Sequence, residues 1–210
     1  MAKRLGDGRT IMALYDDLCA YFENHPIQGK KLVDIRANTL DYMGLGNFCE
    51  FPEEGWTEWR SSIHTDTQVC LIFEDGSTLE VEIPGEAPII LGYNTADIES
   101  YPPYDGTCYQ LSTLFQYALG HTIVDVVFHK TQGKMLFPVW NNIDMSAEDD
   151  GIKELAFVLD NGTKLVVKGV LDYYAFSHVD ENEEELKVPI SQLVSDLNDE
   201  TIAHYGLSTN

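Results

Sequence analysis

Residues 71–81 read LIFEDGSTLEV and decide the fold of this 210-residue chain. Apolar and polar residues alternate on both sides of Asp75-Gly76, which is typical of two half-buried strands. Asp-Gly between alternating segments predicts a tight hairpin turn with positive φ at both central residues. The stretch therefore predicts a β-hairpin over residues 69–83.

The same pattern recurs in the second half of the chain. Residues 156–167 read AFVLDNGTKLVV, with Asn161-Gly162 in place of Asp75-Gly76. A second phrase is shared as well, because GKKLVDI at residues 29–35 matches GHTIVDV at residues 120–126, 91 positions further along. Two shared phrases in the same order indicate an internal repeat.

Each half is predicted to contain one helix followed by short strands. In the first half, a helical stripe of apolar residues follows Thr10, a candidate N-cap, and ends before Pro26. In the second half, Leu111, Leu114, Phe115 and Ala118 mark a helix that Gly120 ends in the left-handed conformation. The strands are predicted at 31–36, 89–93, 122–128, 171–176 and 186–190, besides the two hairpins. A short helix capped by Ser191 follows.

These elements predict an α+β fold made by tandem duplication of a helix-plus-β-meander unit. Its mainly antiparallel strands are expected to pack as two sheets or a partial barrel about a pseudo-two-fold axis. The proline-rich stretch 101–106 divides a first repeat (1–100) from a second repeat (101–210), which carries an acidic C-terminal extension. The two repeats form either two domains or one domain with a common core.

The charge of the chain restricts its partners. It has 35 Asp and Glu against 13 Lys and Arg, a formal net charge of −22. Solubility of a small domain needs only about 2 to 8 charges. Such a surface repels nucleic acid and anionic membranes and attracts basic proteins. Direct nucleic-acid binding and membrane binding are therefore not expected.

The cysteines and the N-terminal sequence predict a cytoplasmic protein. Cys19, Cys49, Cys70 and Cys108 form no CxxC pair and read as small buried thiols, not as a disulfide framework. Thiols of this kind are typical of a reducing compartment. The N-terminus has no apolar signal-like segment and no run is long enough to cross a bilayer, although delivery by an unconventional route stays open.

No catalytic, metal or cofactor motif is present, so we predict no catalytic residues, no metal and no cofactor. His121, Asp125 and His129 share one face of a strand, but residues four apart on a strand lie roughly 13 Å from each other. Asp34 and Asp125 occupy equivalent positions. They form either a symmetric carboxylate pair for acid–base chemistry or, as we favour, two carboxylates that face solvent or bond backbone N–H groups.

The remaining candidates are acidic clusters and tryptophans that would contact a protein partner. Trp56 and Trp59 lie in the irregular stretch 38–67, which is either a connection packed by its own aromatic residues or an exposed contact patch. The candidate partner-binding residues are Asp149, Asp150, Asp180, Glu181, Glu183, Glu184, Glu185, Trp56 and Trp59.

These features favour an acidic, non-enzymatic module that inhibits or neutralises a basic protein. Such a module would be an immunity-type protein against a nuclease toxin, or an anti-defence inhibitor of a nucleic-acid-binding protein. One alternative is a small enzyme or ligand-binding protein with its site between the two repeats, using Asp34, Asp125 or a histidine. Another alternative is a structural domain whose acidity reflects its host. No residue motif carries a resemblance to a known family.

Overall fold

Short strands make up most of the protein in the computed structural model. It describes residues 2–12, 15–37, 57–65, 68–82, 89–101, 106, 108–130, 152–170 and 173–207. In chain order the strands are β1 (Lys3–Arg4), β2 (Thr10–Met12), β3 (Leu32–Ala37), β4 (Glu58–Arg60), β5 (Ser62–Thr65), β6 (Val69–Phe73), β7 (Thr78–Glu82), β8 (Ile89–Tyr93), β9 (Ile123–Lys130), β10 (Ile152–Leu159), β11 (Lys164–Val170), β12 (Tyr173–Val179) and β13 (Lys187–Pro189). The helices are α1 (Tyr15–Asn24), α2 (Leu111–Leu114), α3 (Ile190–Val194) and α4 (Asp199–Tyr205), with a 3₁₀ turn at Ile98–Ser100.

The strands form two larger sheets and one ribbon. The first sheet has the order β1-β2-β8-β7-β6-β3, the second has the order β5-β12-β11-β10-β9, and β13 pairs with β4. The pairings between these strands are antiparallel. The predicted mixed α+β fold with mainly antiparallel strands is therefore confirmed at this level.

The two sheets use their strands in the same order. β3-β6-β7-β8 in the first sheet corresponds to β9-β10-β11-β12 in the second. Each edge strand also carries a bulge at the corresponding place, where the register skips Val33 on β3 and Val124 on β9. The two bulged valines are 41% and 49% exposed. The bulges bend both edge strands at the same distance from their N-termini.

The sheets are joined where β3 and β9 begin. Lys31 pairs with Thr122 as an isolated antiparallel bridge. Gly29 N–H donates to the Ile123 carbonyl at 2.8 Å, and Gly120 N–H donates to the Leu32 carbonyl at 2.8 Å. A second pair of bonds is equally reciprocal, since Ile123 N–H donates to the carbonyl of residue 30 and Leu32 N–H to that of residue 121, both at 2.9 Å. We call this segment (29–32 with 120–123) the junction.

The two hairpin turns have three-residue loops, not the predicted two-residue primed turns. Gly76 N–H donates to the Phe73 carbonyl at 2.9 Å and Phe73 N–H to the Ser77 carbonyl at 3.0 Å, and corresponding bonds close the turn at Gly162. Within these turns positive φ occurs at the glycines, 79° and 85°. Positive φ at Asp75 was predicted and is wrong, because the Asp75 carboxylate accepts the Ser77 N–H at 3.0 Å and stabilises a type I turn before the glycine.

The two sheets enclose one apolar core. Buried side chains from both halves belong to a single cluster, which includes Leu71 and Phe73 of the first sheet and Phe157 and Phe176 of the second. Tyr174 on β12 is fully buried, and its hydroxyl donates to the Val81 carbonyl on β7 at 3.1 Å. The described residues between the sheets are thus packed core.

Several predicted local features are wrong because distant pairings override them. Thr10 is no N-cap, since Thr10–Met12 pairs with β8 as β2 and α1 begins only at Tyr15. The described part of the stretch 38–67 holds β4 and β5, which pair with β13 and β12. α3 begins at Ile190, so Ser191 is not its cap. Gly120 does adopt the predicted left-handed conformation, with φ 82°, but α2 ends at Leu114, so the prediction that Gly120 ends this helix is wrong.

The cysteines also differ from the prediction. Cys19 and Cys70 are free, but Cys108 is disulfide-bonded. The expectation of thiols alone is therefore wrong, and cysteine usage no longer supports a reducing compartment by itself. Burial raises the pKa of the Cys70 thiol to about 12, so this thiol is inert at neutral pH. Cys49 lies outside the described residues.

We expect Gly92→Ala to destabilise the protein by about 1–3 kcal/mol, because the outer face of β8 is filled at this point. A Cβ there would lie 2.1 Å from Oγ1 of Thr95 and 2.9 Å from Oε2 of Glu80. Urea unfolding measures the effect. Gly6→Ala is the control, since an added Cβ at Gly6 meets no atom within 4 Å. Equal unfolding midpoints for the two variants would contradict the packing argument.

Candidate functional site

An ordered acidic turn follows β12 and is the best candidate for a contact surface. We call residues 180–185 the acidic turn. Asp180 N–H donates to the Glu184 carbonyl at 2.9 Å, and Glu183 N–H donates to the Asp180 carbonyl at 3.2 Å. Glu181, Glu183, Glu184 and Glu185 are exposed. The chain therefore holds four carboxylates on the outside of one closed backbone turn.

Asp180 organises this turn from within. Its Oδ1 accepts the N–H groups of Asn182 at 2.8 Å and Glu184 at 3.0 Å. The bond from the Glu184 N–H is the main reason that the pKa of Asp180 lies below its ordinary value. Asp180 was predicted to contact a partner, but the structure places its carboxylate in the turn's own hydrogen bonds.

The base of the acidic turn is fixed by three backbone bonds. Leu186 N–H donates to the His178 carbonyl at 2.8 Å, and His178 N–H donates to the Ser61 carbonyl at 2.8 Å. Ser61 N–H in turn donates to the Leu186 carbonyl at 2.7 Å. Glu185 is also held at this base, since the Ser177 hydroxyl lies 3.4 Å from its Oε1. The turn thus projects from the point where β12, β13 and the β4–β5 segment meet.

Glu183 adopts a backbone conformation that glutamate rarely takes. Its φ is 65°, in the left-handed region. Its carboxylate lies 3.4 Å from Nζ of Lys164, and the Glu183 side chain is mostly exposed. Because an exposed ion pair of this kind contributes little stability, it does not explain a non-glycine residue here. Strained residues of this type are enriched at ligand-binding and switch regions, so Glu183 is consistent with a contact role for the acidic turn.

We expect Glu183→Asn to raise the free energy of unfolding by up to about 1 kcal/mol, because asparagine tolerates the left-handed conformation better than glutamate. Urea unfolding at neutral pH measures this gain. Glu181→Asn removes the same charge from an exposed neighbour and is the control. If Glu181→Asn stabilises as much as Glu183→Asn, the gain comes from charge and not from relief of backbone strain.

Of the other predicted partner residues, Trp59 lies in the described part of the chain, and it does not join this surface. Trp59 is 7% exposed and belongs to the core cluster, so it packs inside and offers no exposed aromatic face. This location agrees with a connection packed by its own aromatic residues. Trp56, Asp149 and Asp150 lie outside the described residues.

The paired carboxylates of the two edge strands are engaged locally. Oδ1 of Asp34 accepts the Ile35 N–H at 2.8 Å, and Oδ1 of Asp125 accepts the Val126 N–H at 2.8 Å. Asp125 also accepts a bond from Gln28 at 3.1 Å. Both carboxylates therefore bond the backbone next to their bulges, as the favoured interpretation predicts.

A polar cluster near the acidic turn was not predicted. His178 is wholly buried on β12, and its Nε2 lies 2.7 Å from Oγ1 of Thr163. His121 Nδ1 lies 2.7 Å from Oδ1 of Asp160. The sequence shows that His121 lies in a shared repeat phrase and that His178 follows the second hairpin, but it gives no sign that they meet at one turn.

The part of the chain that the structure describes contains neither a membrane-spanning helix nor a cluster of metal-binding side chains. None of its helices has the length and apolarity that crossing a bilayer requires. No group of three His, Cys, Asp or Glu side chains in the same ranges is placed to hold a metal ion.

Comparison with known proteins adds no functional assignment: no protein-family model, no curated protein and no solved structure matches the chain.

Proposed function

We propose that the protein is a non-enzymatic acidic module that inhibits or neutralises a basic protein partner. The observation that carries this proposal is the acidic turn, in which backbone bonds hold exposed carboxylates outward on a chain of net charge −22. Its partner would be a nuclease toxin, with this chain as the immunity-type protein, or a nucleic-acid-binding protein that this chain blocks as an anti-defence inhibitor.

Electrostatic attraction would act mainly on the rate of encounter. Carboxylates on a preformed turn steer a cationic surface and need no ordering when the partner arrives. Long-range attraction of this kind weakens as salt shortens the screening length to about 10 Å at 0.1 M. A partner captured through the acidic turn should therefore be lost at high salt.

The test is a pull-down from the native host at low and high salt with three proteins. The first is the unchanged chain, and the second carries Glu181→Lys, Glu183→Lys and Glu184→Lys. The third carries lysine at three other exposed glutamates, Glu23, Glu99 and Glu200, which gives the same change in net charge. We expect the first and third proteins to retain a basic partner at low salt and the second to lose it. Salt-insensitive binding that all three proteins share would overturn the proposal.

We further propose that the chain arose by tandem duplication and that a pseudo-two-fold axis passes between Lys31 and Thr122. The reciprocal bonds of the junction support this, because each bond in one half has a counterpart in the other at the same offset. The shared strand order and the shared bulges support it too. Experimental coordinates in which no single rotation superposes the two meanders would contradict it.

We propose a cytoplasmic location on the free thiols of Cys19 and Cys70. The disulfide at Cys108 argues against this location, because disulfides are rare in cytoplasmic proteins. Fractionation of the native host, followed by detection of the protein, tests this location.

A further inference from the structure

Two histidines hold the turn between β10 and β11. His178 Nε2 lies 2.7 Å from Oγ1 of Thr163, and that hydroxyl donates to Oδ1 of Asn161 at 2.8 Å. Because the hydroxyl has one proton, which goes to Asn161, we assign the hydrogen to Nε2 of His178. From the other side of the turn, His121 Nδ1 bonds Oδ1 of Asp160 at 2.7 Å. We call these five side chains the histidine clamp.

The remaining nitrogen of His178 makes the clamp sensitive to protonation. Nδ1 is buried and has no hydrogen-bond partner within the described ranges. A proton added there would create a buried charge with an unpaired N–H, which is strongly unfavourable. Burial, aided by the proximity of His121, accordingly lowers the pKa of His178 to about 4. The clamp therefore requires neutral His178.

The corresponding turn of the first sheet has no histidine at the two equivalent positions. Tyr93 occupies on β8 the register position that His178 occupies on β12. Lys30 occupies the junction position of His121, bonds Asp75 and lies 5.8 Å from the centre of the Tyr93 ring. The bond from Lys30 holds the pKa of Asp75 well below its ordinary value. The two turns thus share a layout, but only the turn of the second sheet is held by histidines.

The histidine clamp is connected to the acidic turn in three ways. His178 precedes Asp180 by two residues. Its carbonyl accepts the Leu186 N–H that closes the base of the acidic turn. Lys164, next to Thr163 of the clamp, lies 3.4 Å from a carboxylate oxygen of Glu183. Movement of His178 would therefore disturb both ends of the acidic turn.

We propose that the histidine clamp is a pH-sensitive device that holds the acidic turn at neutral pH and releases it on acidification. The clamp does not depend on the proposed function. The further consequence, that release of the acidic turn frees a bound basic protein, does rest on the proposed function. Of the charged and titratable groups in the clamp and the acidic turn, His121 acts directly on His178. The others contact residues of the two turns, and they are Asp160, Lys164, Asp180, Glu183 and Glu185.

These neighbours leave His178 as the group that opens the clamp. The pKa values of Asp160 and Asp180 are both lowered, the first by His121 and the second by the Glu184 N–H, so both stay ionised in mild acid. His121 bonds Asp160, and its proximity to His178 disfavours a positive charge on the His178 ring. The opening step is therefore the protonation of His178.

Hydrogen exchange of the free protein, followed residue by residue between pH 7 and 4.5, tests the clamp without any partner. The reporting amides are Gly162, Asp180 and Leu186, whose N–H groups close the two turns. After correction for intrinsic exchange, we expect their opening constants to rise by up to about tenfold per pH unit below about 6.5. The Gly76 amide, which closes the corresponding turn of the first sheet, is the internal control and should not respond.

Variants identify the responsible group. His178→Gln should abolish the pH response, and His178→Tyr, which introduces the residue of the first-sheet turn, should do the same. His204→Gln changes an exposed histidine on α4 and should retain the response. An equal response at Gly76 and Gly162, or a response that survives in both His178 variants, would overturn the proposal.

If the variants do not fold, the tautomer and the titration of His178 can be measured in the unchanged protein. Nitrogen chemical shifts of the His178 ring report its tautomer and its titration directly. We expect the hydrogen on Nε2 and protonation only well below the ordinary histidine range of about 6.5. A ring that titrates at its ordinary value while the Leu186 amide stays protected would overturn the clamp.

Discussion

Tyr174→Ala lowers the free energy of unfolding by about 3–5 kcal/mol, because it removes a large buried ring and leaves a cavity between the two sheets. Tyr174 is fully buried on β12, and its hydroxyl bonds the Val81 carbonyl on β7. Since the same core cluster contains residues of both sheets, we expect both halves to unfold together in one transition. Urea unfolding followed by circular dichroism and by tryptophan fluorescence measures the loss and its cooperativity.

Tyr174→Phe separates the hydrogen bond from the packing. It keeps the ring and leaves the Val81 carbonyl without the hydroxyl, so we expect a loss of about 1–2 kcal/mol. The outcome also bears on domain organisation. Two separate transitions, of which Tyr174→Ala affects only that of residues 101–210, would mean that residues 1–100 and 101–210 are independent domains. The common core would then contribute little to stability.

Between pH 6.5 and pH 4, we expect His178 to reduce the free energy of unfolding by about 3 kcal/mol, because the pKa of histidine is about 6.5 in an unfolded chain and that of His178 is about 4 in the folded protein. The folded-state pKa is the lower one, so the unfolded chain takes up a proton first. The stabilisation by neutral His178 is therefore fully present above about pH 6.5 and is lost as the pH falls towards 4. The free energy of unfolding should fall most steeply between about pH 6.5 and pH 4, where the histidine is protonated in the unfolded chain but still neutral in the folded protein.

Comparison of the unchanged protein with His178→Gln separates the effect of His178 on stability from the effect of the net charge. Acidification also reduces the repulsion within a chain of net charge −22, which acts in the stabilising direction. Urea unfolding of the unchanged protein and of His178→Gln across the same pH range cancels that common term. We expect the two curves to converge as the pH falls. Parallel curves would show that His178 is not responsible.

The local alternation of residues was sufficient to predict the two hairpins and the strands at 89–93 and 122–128. Alternation and glycine position depend on residues that are neighbours in sequence, and these determine β6, β7, β10 and β11. Pairings between distant residues were not predictable in this way. Ile11 fits a helical stripe by spacing, but it pairs with Ile90 in the first sheet.

The candidate site shows the same limit. The acidic turn was predicted as an exposed cluster because six consecutive polar residues, 180–185, are visible in the sequence. That Asp180 would bond the turn's own N–H groups was not visible, and neither was the meeting of His121, Thr163 and His178. These depend on how β9, β11 and β12 are brought to one end of the sheet. The burial of Trp59 likewise depends on the pairing of β4 with β13.

The pairing of β5, from the first half of the chain, with β12 of the second half has a consequence for biosynthesis. Ser62 of β5 meets Ser177 of β12, 115 residues later in the chain. When the first half leaves the ribosome, β4 and β5 have no strands to pair with, and their backbone edges are open to other nascent chains. Completion of the second sheet must therefore wait for the translation of β12, and completion of the β4–β13 ribbon must wait for β13, so folding of this protein should be largely post-translational.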